Sequence, residues 1–544
     1  MEIYNLALPA MNRFSAGYLE GVPSVTQLFH YDYKQESHYK RRLEELKERN
    51  FARIELADHI ESFMSRYPSS EEVKRNLAKL RKENSVAVIG GQQAGILTGP
   101  LYTIHKIISI IALARQKESE LGIPVVPVFW IAGEDHDYQE INHVYVMRNG
   151  NPEKMVYPQK QLEKTMASQI RIDREECRRW IHEVLKTYGE TEHTKALLEF
   201  VEKTLADAES IVDFFAAIIM ELFKEHGLLI VDSGNPELRV LEKDHFAKVI
   251  NNSKAIAEAV MNQQQTKSFF GYKNSLEMQA NAMNLFYYDR EHEGRILLYR
   301  NEQEGTITGK NGEISFTESE LLELALKHPE ALSNNVVTRP LMQEWLFPVL
   351  GFIGGPGEIA YWSELKLVFE HFGMMMPPIV PRLNITLLDR SVDADLAELS
   401  LDLLEVMEFG IERQKHIFIS SIKDGDLDDI FINLKEEIKI RYSGIREHLC
   451  VKEPSLVPLL EKNERILLSQ INFIAEKTKE PALRKNEAVL RKYDRIANSL
   501  RPLGIPQERV WNPFWYFNKY GIRFVQEILK QKLTFDGSHK IVKM

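Results

Sequence analysis

The sequence predicts an α/β core around a parallel sheet, with a long antiparallel pair of helices forming a second domain. Three observations carry this. Two short apolar runs, residues 86–89 and 125–131, flank a helical stretch, the pattern of a βαβ unit with buried strands. Further runs of the same kind follow at 227–232 and 349–353. From 387 to 500 the texture changes. Leu427, Phe431, Leu434, Ile438, Tyr442, Ile445 and Leu449 step by four and three with charges between them, which is a coiled-coil seam.

Taken in order, the first 85 residues read as helices. Residues 39–57 are dense in Arg, Lys, Glu and Leu at helical spacing, and Ser69 or Ser70 before two glutamates offers an N-cap. The strand at 86–89 ends in Gly90-Gly91, and a helix is expected over 100–116, with Pro100 in its first turn. The strand at 125–131 ends at Gly133. The strand at 227–232 follows a helix over 211–226. Residues 284–288 and 295–299 read as a hairpin joined by a polar turn at 289–294. The strand at 349–353 runs into Gly354-Gly355-Pro356-Gly357, and 378–381 closes the region. The long helices break near 451–458, at Pro454 and Pro458, and turn back as an antiparallel arm, or else as a bundle packed on the core. Leu490, Tyr493, Ala497 and Leu500 repeat the helical spacing. The domains expected are a core over 1–386, the coiled coil over 387–500 and a tail over 501–544 that returns to the core.

A chain of 544 residues fits two or three units, and 44% hydrophobic with 27% charged residues is enough for a full core. The net charge of −10 argues against nucleic-acid partners. Cys177 and Cys450 offer no metal-binding spacing, and so few cysteines fit a reducing cytoplasm. The N-terminus lacks the basic start and apolar run of a signal peptide. The longest apolar stretch, 107–114, falls far short of the ~20 residues of a membrane span.

Three segments carry candidate chemistry. The loop Gly90-Gly91-Gln92-Gln93-Ala94-Gly95-Ile96-Leu97-Thr98-Gly99 joins strand to helix, so its backbone can approach a ligand and the helix start suits an anion. Gln92, Gln93 and Thr98 add polar groups, and Lys106 is within reach of an anion near the mouth. The run Glu134, Asp135, His136, Asp137 ends the second strand, where open α/β sheets bind ligands. It suits an amine, a magnesium ion or acid–base work, or is a solvated turn. The third segment holds Asn335, Arg339, Glu358 and Tyr361. Arg339, expected in extended backbone before Pro340, is a candidate carboxylate clamp, as is Arg382. Trp511, Asn512 and Tyr516 in the tail suit an adenine sandwich or an aromatic core patch.

The loop from Gly91 to Thr103, the run Pro127-Val128-Phe129-Trp130 with Glu134 to Asp137, and the stretch from Gly354 to Trp362 together resemble the bacillithiol biosynthesis cysteine-adding enzymes, over essentially the whole chain. The resemblance implies a ligase that joins L-cysteine to the amino group of glucosaminyl malate, the final step of bacillithiol synthesis. It implies a Rossmann-like core, similar to class I aminoacyl-tRNA synthetases and pantothenate synthetase, and a projecting coiled coil that forms a homodimer. It implies an adenine nucleotide, ATP or ADP, held near Trp511, Asn512, Tyr516 and Arg495, and admits magnesium. One departure stands out. The His-x-Gly-His tetrad of the nucleotidyl-transferring relatives is absent, and Leu97-Thr98-Gly99-Pro100 stands there instead. Under this reading Lys106, Asp135, His136 and Asp137 are the catalytic candidates, and Gln92, Gln93, Thr98, Glu134, Asn335, Arg339, Glu358 and Tyr361 bind substrate. The rival expectations are a nucleotidyltransferase-like enzyme for another small acid, and a non-enzymatic coiled-coil scaffold.

Overall fold

In the computed structural model, residues 1–10, 12–161, 164–289, 294–310, 312, 314–422 and 425–544 are described. The chain divides into two compact units, Met1–Leu387 with Ile505–Met544, and Leu388–Gly504.

The first unit is built on a five-stranded parallel sheet. Its strands are β1 (Val86–Gln92), β2 (Val125–Ile131), β3 (Leu229–Asp232), β4 (Val349–Gly354) and β5 (Ile379–Pro381). Their spatial order is β5-β4-β1-β2-β3, with every neighbouring pair parallel. Every residue of β2 is buried, which explains why this run is apolar without alternation. Helix α1 (Tyr102–Leu121) packs on β1, β2 and β4. Its Ile107, Ile108, Ile110 and Ile111 are fully buried, each contributing roughly 1.5–3 kcal/mol. The long apolar stretch is thus a core helix.

This order fixes the site. From β1 the chain winds outward through β2 and β3, then returns to place β4 on the other flank of β1. The crevice between the carboxyl ends of β1 and β4 is the switch point where such sheets bind ligands. Both ends are glycine-rich, Gly90-Gly91 and Gly354-Gly355. An antiparallel sheet covers this end of the unit. It contains the expected hairpin, Ala282–Asp289 with Gly294–Asn301, and the short strand Leu332–Asn334. Of the expected connecting turn at 289–294, residues 290–293 lie outside the described residues.

Two local expectations are corrected and one is sharpened. Glu2–Leu6 is a strand, paired antiparallel with His539–Lys543, so its partner lies at the far end of the chain where no local pattern shows it. Residues 39–57 form parts of two helices, Glu36–Lys47 and Arg53–Met64. Arg339 is helical, in α2 (Thr338–Leu346). Pro340 stands in the first turn of that helix, where a missing N–H is tolerated. Of the two candidate caps, Ser70 is the one used: its Oγ accepts from Val73 N.

In the second unit, helices Gly425–Lys452 and Val457–Lys485 run antiparallel through the turn Pro454–Leu456. Tyr442 Oη donates to Asn463 Oδ1 at 2.5 Å and Arg446 pairs with Glu464 at 2.6 Å, pinning the register. Among the described residues, no helix is long and apolar enough to cross a membrane.

Candidate functional site

A cavity of about 660 Å³ opens at the switch point. Of the residues singled out in the sequence, Gln92, Gln93, Lys106, Glu134, Asp135, His136, Asn335, Arg339, Glu358, Tyr361 and Arg382 line it. Thr98 and Asp137 do not.

The floor is tied together by Lys106. Its Nζ donates to Gly91 O at 2.6 Å and Gln92 Oε1 at 3.2 Å, and it pairs with Glu358. Glu358 also accepts Gly355 N at 2.8 Å. One ammonium therefore joins the carboxyl end of β1 to the helix after β4 (Pro356–Trp362), across the switch point. Burial lowers the Lys106 pKa, and the charge of Glu358 opposes this. Glycine is required at 91, because a Cβ there would lie 2.9 Å from Trp130 O.

Beyond Gln93 the loop is strained. Leu97 (φ 51°) and Thr98 (φ 69°) occupy the left-handed region, which costs of order 1–3 kcal/mol each. Thr98 is fully buried and its Oγ1 has no partner among the described residues, so its expected role in binding substrate is corrected. The tail holds this loop: Asn512 Nδ2 donates to Leu97 O at 2.8 Å and Gly99 O at 2.7 Å, and Leu101 N donates to Trp511 O. Asn512→Ala is expected to lower stability by about 2–4 kcal/mol, because two buried carbonyls lose their donors; urea denaturation followed by circular dichroism checks this.

Trp511 and Tyr516 are buried as well, at 2% and 1% exposure, and Trp511 stacks on Trp515 at 5.6 Å. As arranged here no ring face of either is open to an adenine, so these residues do not fit the sandwich expected of them. Arg495 lies in the second unit, where Asp395 accepts from its guanidinium at 2.6 and 2.8 Å.

Glu134 is not free for substrate. Its Oε2 accepts from Arg239 at 2.7 Å and from Asn334 N at 3.2 Å. Arg239 also donates to Glu242 at 2.5 Å, so one buried guanidinium serves two buried carboxylates. Burial pushes the Glu242 pKa up to about 7, although the Arg239 charge opposes it. The folded state therefore holds a proton that the unfolded chain, with a carboxyl near 4.5, releases. The stability contributed by this proton is complete below pH 4.5 and is lost as pH rises through about 7. Relative to Glu242→Gln, the wild-type unfolding free energy is expected to fall across that window and be flat above it, as denaturant titrations at several pH values would show.

Asp135 and His136 face the cavity. Asp135 Oδ2 accepts Gln93 Nε2 at 2.7 Å. Arg295 Nη1 donates to His136 Nδ1 at 3.1 Å. Burial, then the Arg295 charge, lowers the His136 pKa, so the ring is neutral and carries its proton on Nε2. Of the catalytic candidates, His136 is thus a hydrogen-bond donor in this arrangement. Asp137 is exposed at the start of the short helix Tyr138–Ile141, outside the cavity, and is corrected as a catalytic candidate.

Arg339 forms the opposite wall. Its guanidinium donates to Tyr361 Oη, its Nε is buried without an acceptor, and no carboxylate pairs with it among the described residues. Asn335 is spent locally: its Oδ1 accepts Val337 N at 2.8 Å and its Nδ2 donates to Asn284 Oδ1 at 3.0 Å. Arg382 is held by Glu508 at 2.5 and 2.6 Å, and His105 meets the same carboxylate at 3.0 Å, so this arginine is structural. Sequence reasoning missed Arg295, Arg509 and Glu277, which also line the cavity. Arg295, a buried charge in an apolar strand, carried a usable signal; the other two carried none. Among the described residues no group of three His, Cys, Asp or Glu is placed to hold a metal.

Residues 1–383 match the family described as bacillithiol biosynthesis BshC, N-terminal Rossmann-like domain, and residues 385–544 match its C-terminal coiled-coil domain. A relative from Geobacillus thermodenitrificans, provisionally named cysteine ligase BshC, is 44% identical over the full length of both chains. Relatives of the same name from Bacillus cytotoxicus and Bacillus cereus are 41% identical, also over full length.

Proposed function

The chain belongs to the bacillithiol biosynthesis BshC family, and on that premise we propose that it is a cysteine ligase joining L-cysteine to the amino group of glucosaminyl malate in the last step of that synthesis. Arg339 is the observation within the cavity that supports this most. A buried guanidinium N–H without an acceptor is costly, and a substrate carboxylate supplies the missing partner in bidentate geometry. Lys106 and Glu358 cannot do this without breaking each other's pairing.

The reaction makes a bond between the cysteine carbonyl carbon and the sugar nitrogen, with loss of a carboxylate oxygen. This is uphill in water, so the carboxylate needs activation; ATP is the co-substrate of this proposal, and the carboxylate oxygen leaves on the phosphorus-containing group that ATP transfers to it. Magnesium enters only as the counter-ion of its phosphates. Asp135 takes the proton that the sugar ammonium must lose before it attacks. His136 Nε2–H donates to the oxygen on which negative charge develops. Gln93, bonded to Asp135, orients the carboxylate.

A homodimer through the helical pair and a cytoplasmic setting belong to the same proposal. Ile440, Leu459 and Phe473 are each more than half exposed on that pair, an apolar face for a second copy. The test is to incubate the purified chain with cysteine, glucosaminyl malate and ATP and to identify the amide by mass spectrometry. Bacillithiol is the expected product, and its absence with active, folded protein would sink the reading.

A further inference from the structure

The charges around the cavity divide into two classes. Lys106 with Glu358, Arg382 with Glu508, and Glu134 with Arg239 neutralise each other within the protein. Five charged groups of the wall have no oppositely charged side chain against them among the described residues: Arg295, Arg339, Arg509, Asp135 and Glu277. Arg295 donates to Ser333 Oγ, Asn334 O and the neutral His136, its guanidinium lies over the Phe286 ring at 4.0 Å, and Glu134 and Asp135 act on its charge from beyond ion-pair distance. Three guanidiniums and two carboxylates of one cavity thus lack a contact ion pair within the protein and are open to ligand groups of opposite charge.

Resting on the cysteine-ligase reading, we propose that this single cavity receives both organic substrates together, and that the exposed rim residues Arg509 and Glu277 set specificity. Glucosaminyl malate carries two carboxylates and one amino group, and cysteine carries one of each. Together the two organic substrates present three carboxylates and two amino groups, with which the guanidiniums and carboxylates of the wall can pair. A cavity of about 660 Å³ lies well within the roughly 300–1,000 Å³ of small-molecule sites. The reacting amine must shed its proton, so it belongs with the half-buried Asp135. The cysteine amino group remains an ammonium, and the exposed Glu277 suits a group that stays charged. Arg509 takes a carboxylate of the malate.

Glu277 is not on a slack loop. Two residues before it, Ser275 N donates to the buried Glu364 at 2.6 Å, and Leu276 N donates to the other oxygen at 3.2 Å. Lys267 at 2.5 Å and Gln264 at 2.8 Å complete the grip on that carboxylate. This network fixes the chain beside Glu277 and preorganises its approach to the cavity.

The experiment measures KM for each substrate in Glu277→Gln and Arg509→Gln. Glu277→Gln is expected to raise KM for cysteine about three- to fivefold, as for exposed ion pairs, and leave KM for glucosaminyl malate unchanged. The inhibition constant of 3-mercaptopropionate, cysteine without its amino group, should not move. Arg509→Gln should do the reverse, raising KM for glucosaminyl malate while leaving inhibition by the one-carboxylate analogue glucosaminyl glycolate unchanged. Both effects should shrink with added salt. Equal losses for both substrates, or analogues weakened as much as the substrates, would overturn the proposal. Failure of the wild type to form the amide would instead remove the function on which it rests.

Discussion

Lys106→Met is expected to lower kcat/KM by about 10²-fold or more, and stability by about 3–5 kcal/mol. The stability figure follows because Glu358 would keep its charge at the cavity floor without its contact ion pair, holding the hydrogen bond from Gly355 N. The rate figure matches the loss of one preorganised cationic donor from an enclosed site. The double variant Lys106→Met/Glu358→Gln separates the two effects. It removes the orphaned carboxylate and should recover most of the stability. It should not recover the rate, because Lys106 also fixes Gly91 O and Gln92 Oε1 at the end of β1. Steady-state kinetics and urea denaturation on both variants check this. Recovery of the rate in the double variant would reduce Lys106 to a counter-ion for Glu358.

Arg339→Met is expected to show the opposite relation between rate and stability. Its kcat/KM should fall by about 10²-fold, through KM for a carboxylate-bearing substrate, since a bidentate charge-assisted contact is lost. Its unfolding midpoint should stay the same or rise. Among the described residues no carboxylate forms an ion pair with Arg339, so removing it breaks no contact pair and relieves a buried N–H without an acceptor. Loss of activity with a maintained or higher midpoint is the sign of a residue kept for ligand rather than for fold. A fall in midpoint as large as that of Lys106→Met would assign Arg339 a structural task instead.

Much of this protein was legible along the chain, and the reason is local. β1, β2, β3 and β4 are buried on both faces, so their residues are apolar without alternation. The helical pair repeats its apolar residues by four and three because each helix has one partner face. The glycines at the ends of β1 and β4 follow from close backbone approach, as the Cβ test at Gly91 shows. These features placed the cavity and named eleven of the candidate residues that line it.

What each charged residue does there could not be read from the sequence, because a charge takes its role from its partner. Glu134 lost its place as a ligand group to Arg239, 105 residues further along the chain, and Asn512 gained a structural task through carbonyls more than 400 residues before it. Glu277 and Arg509 look like any surface charges until the fold brings them to one rim. Thus sequence by itself determined the strands, the helical arm and the glycine-lined crevice, whose causes lie within a few residues. Only the tertiary structure decided which charges cancel and which are left for substrate, because Coulomb pairing in a buried site depends on distance in space and not along the chain.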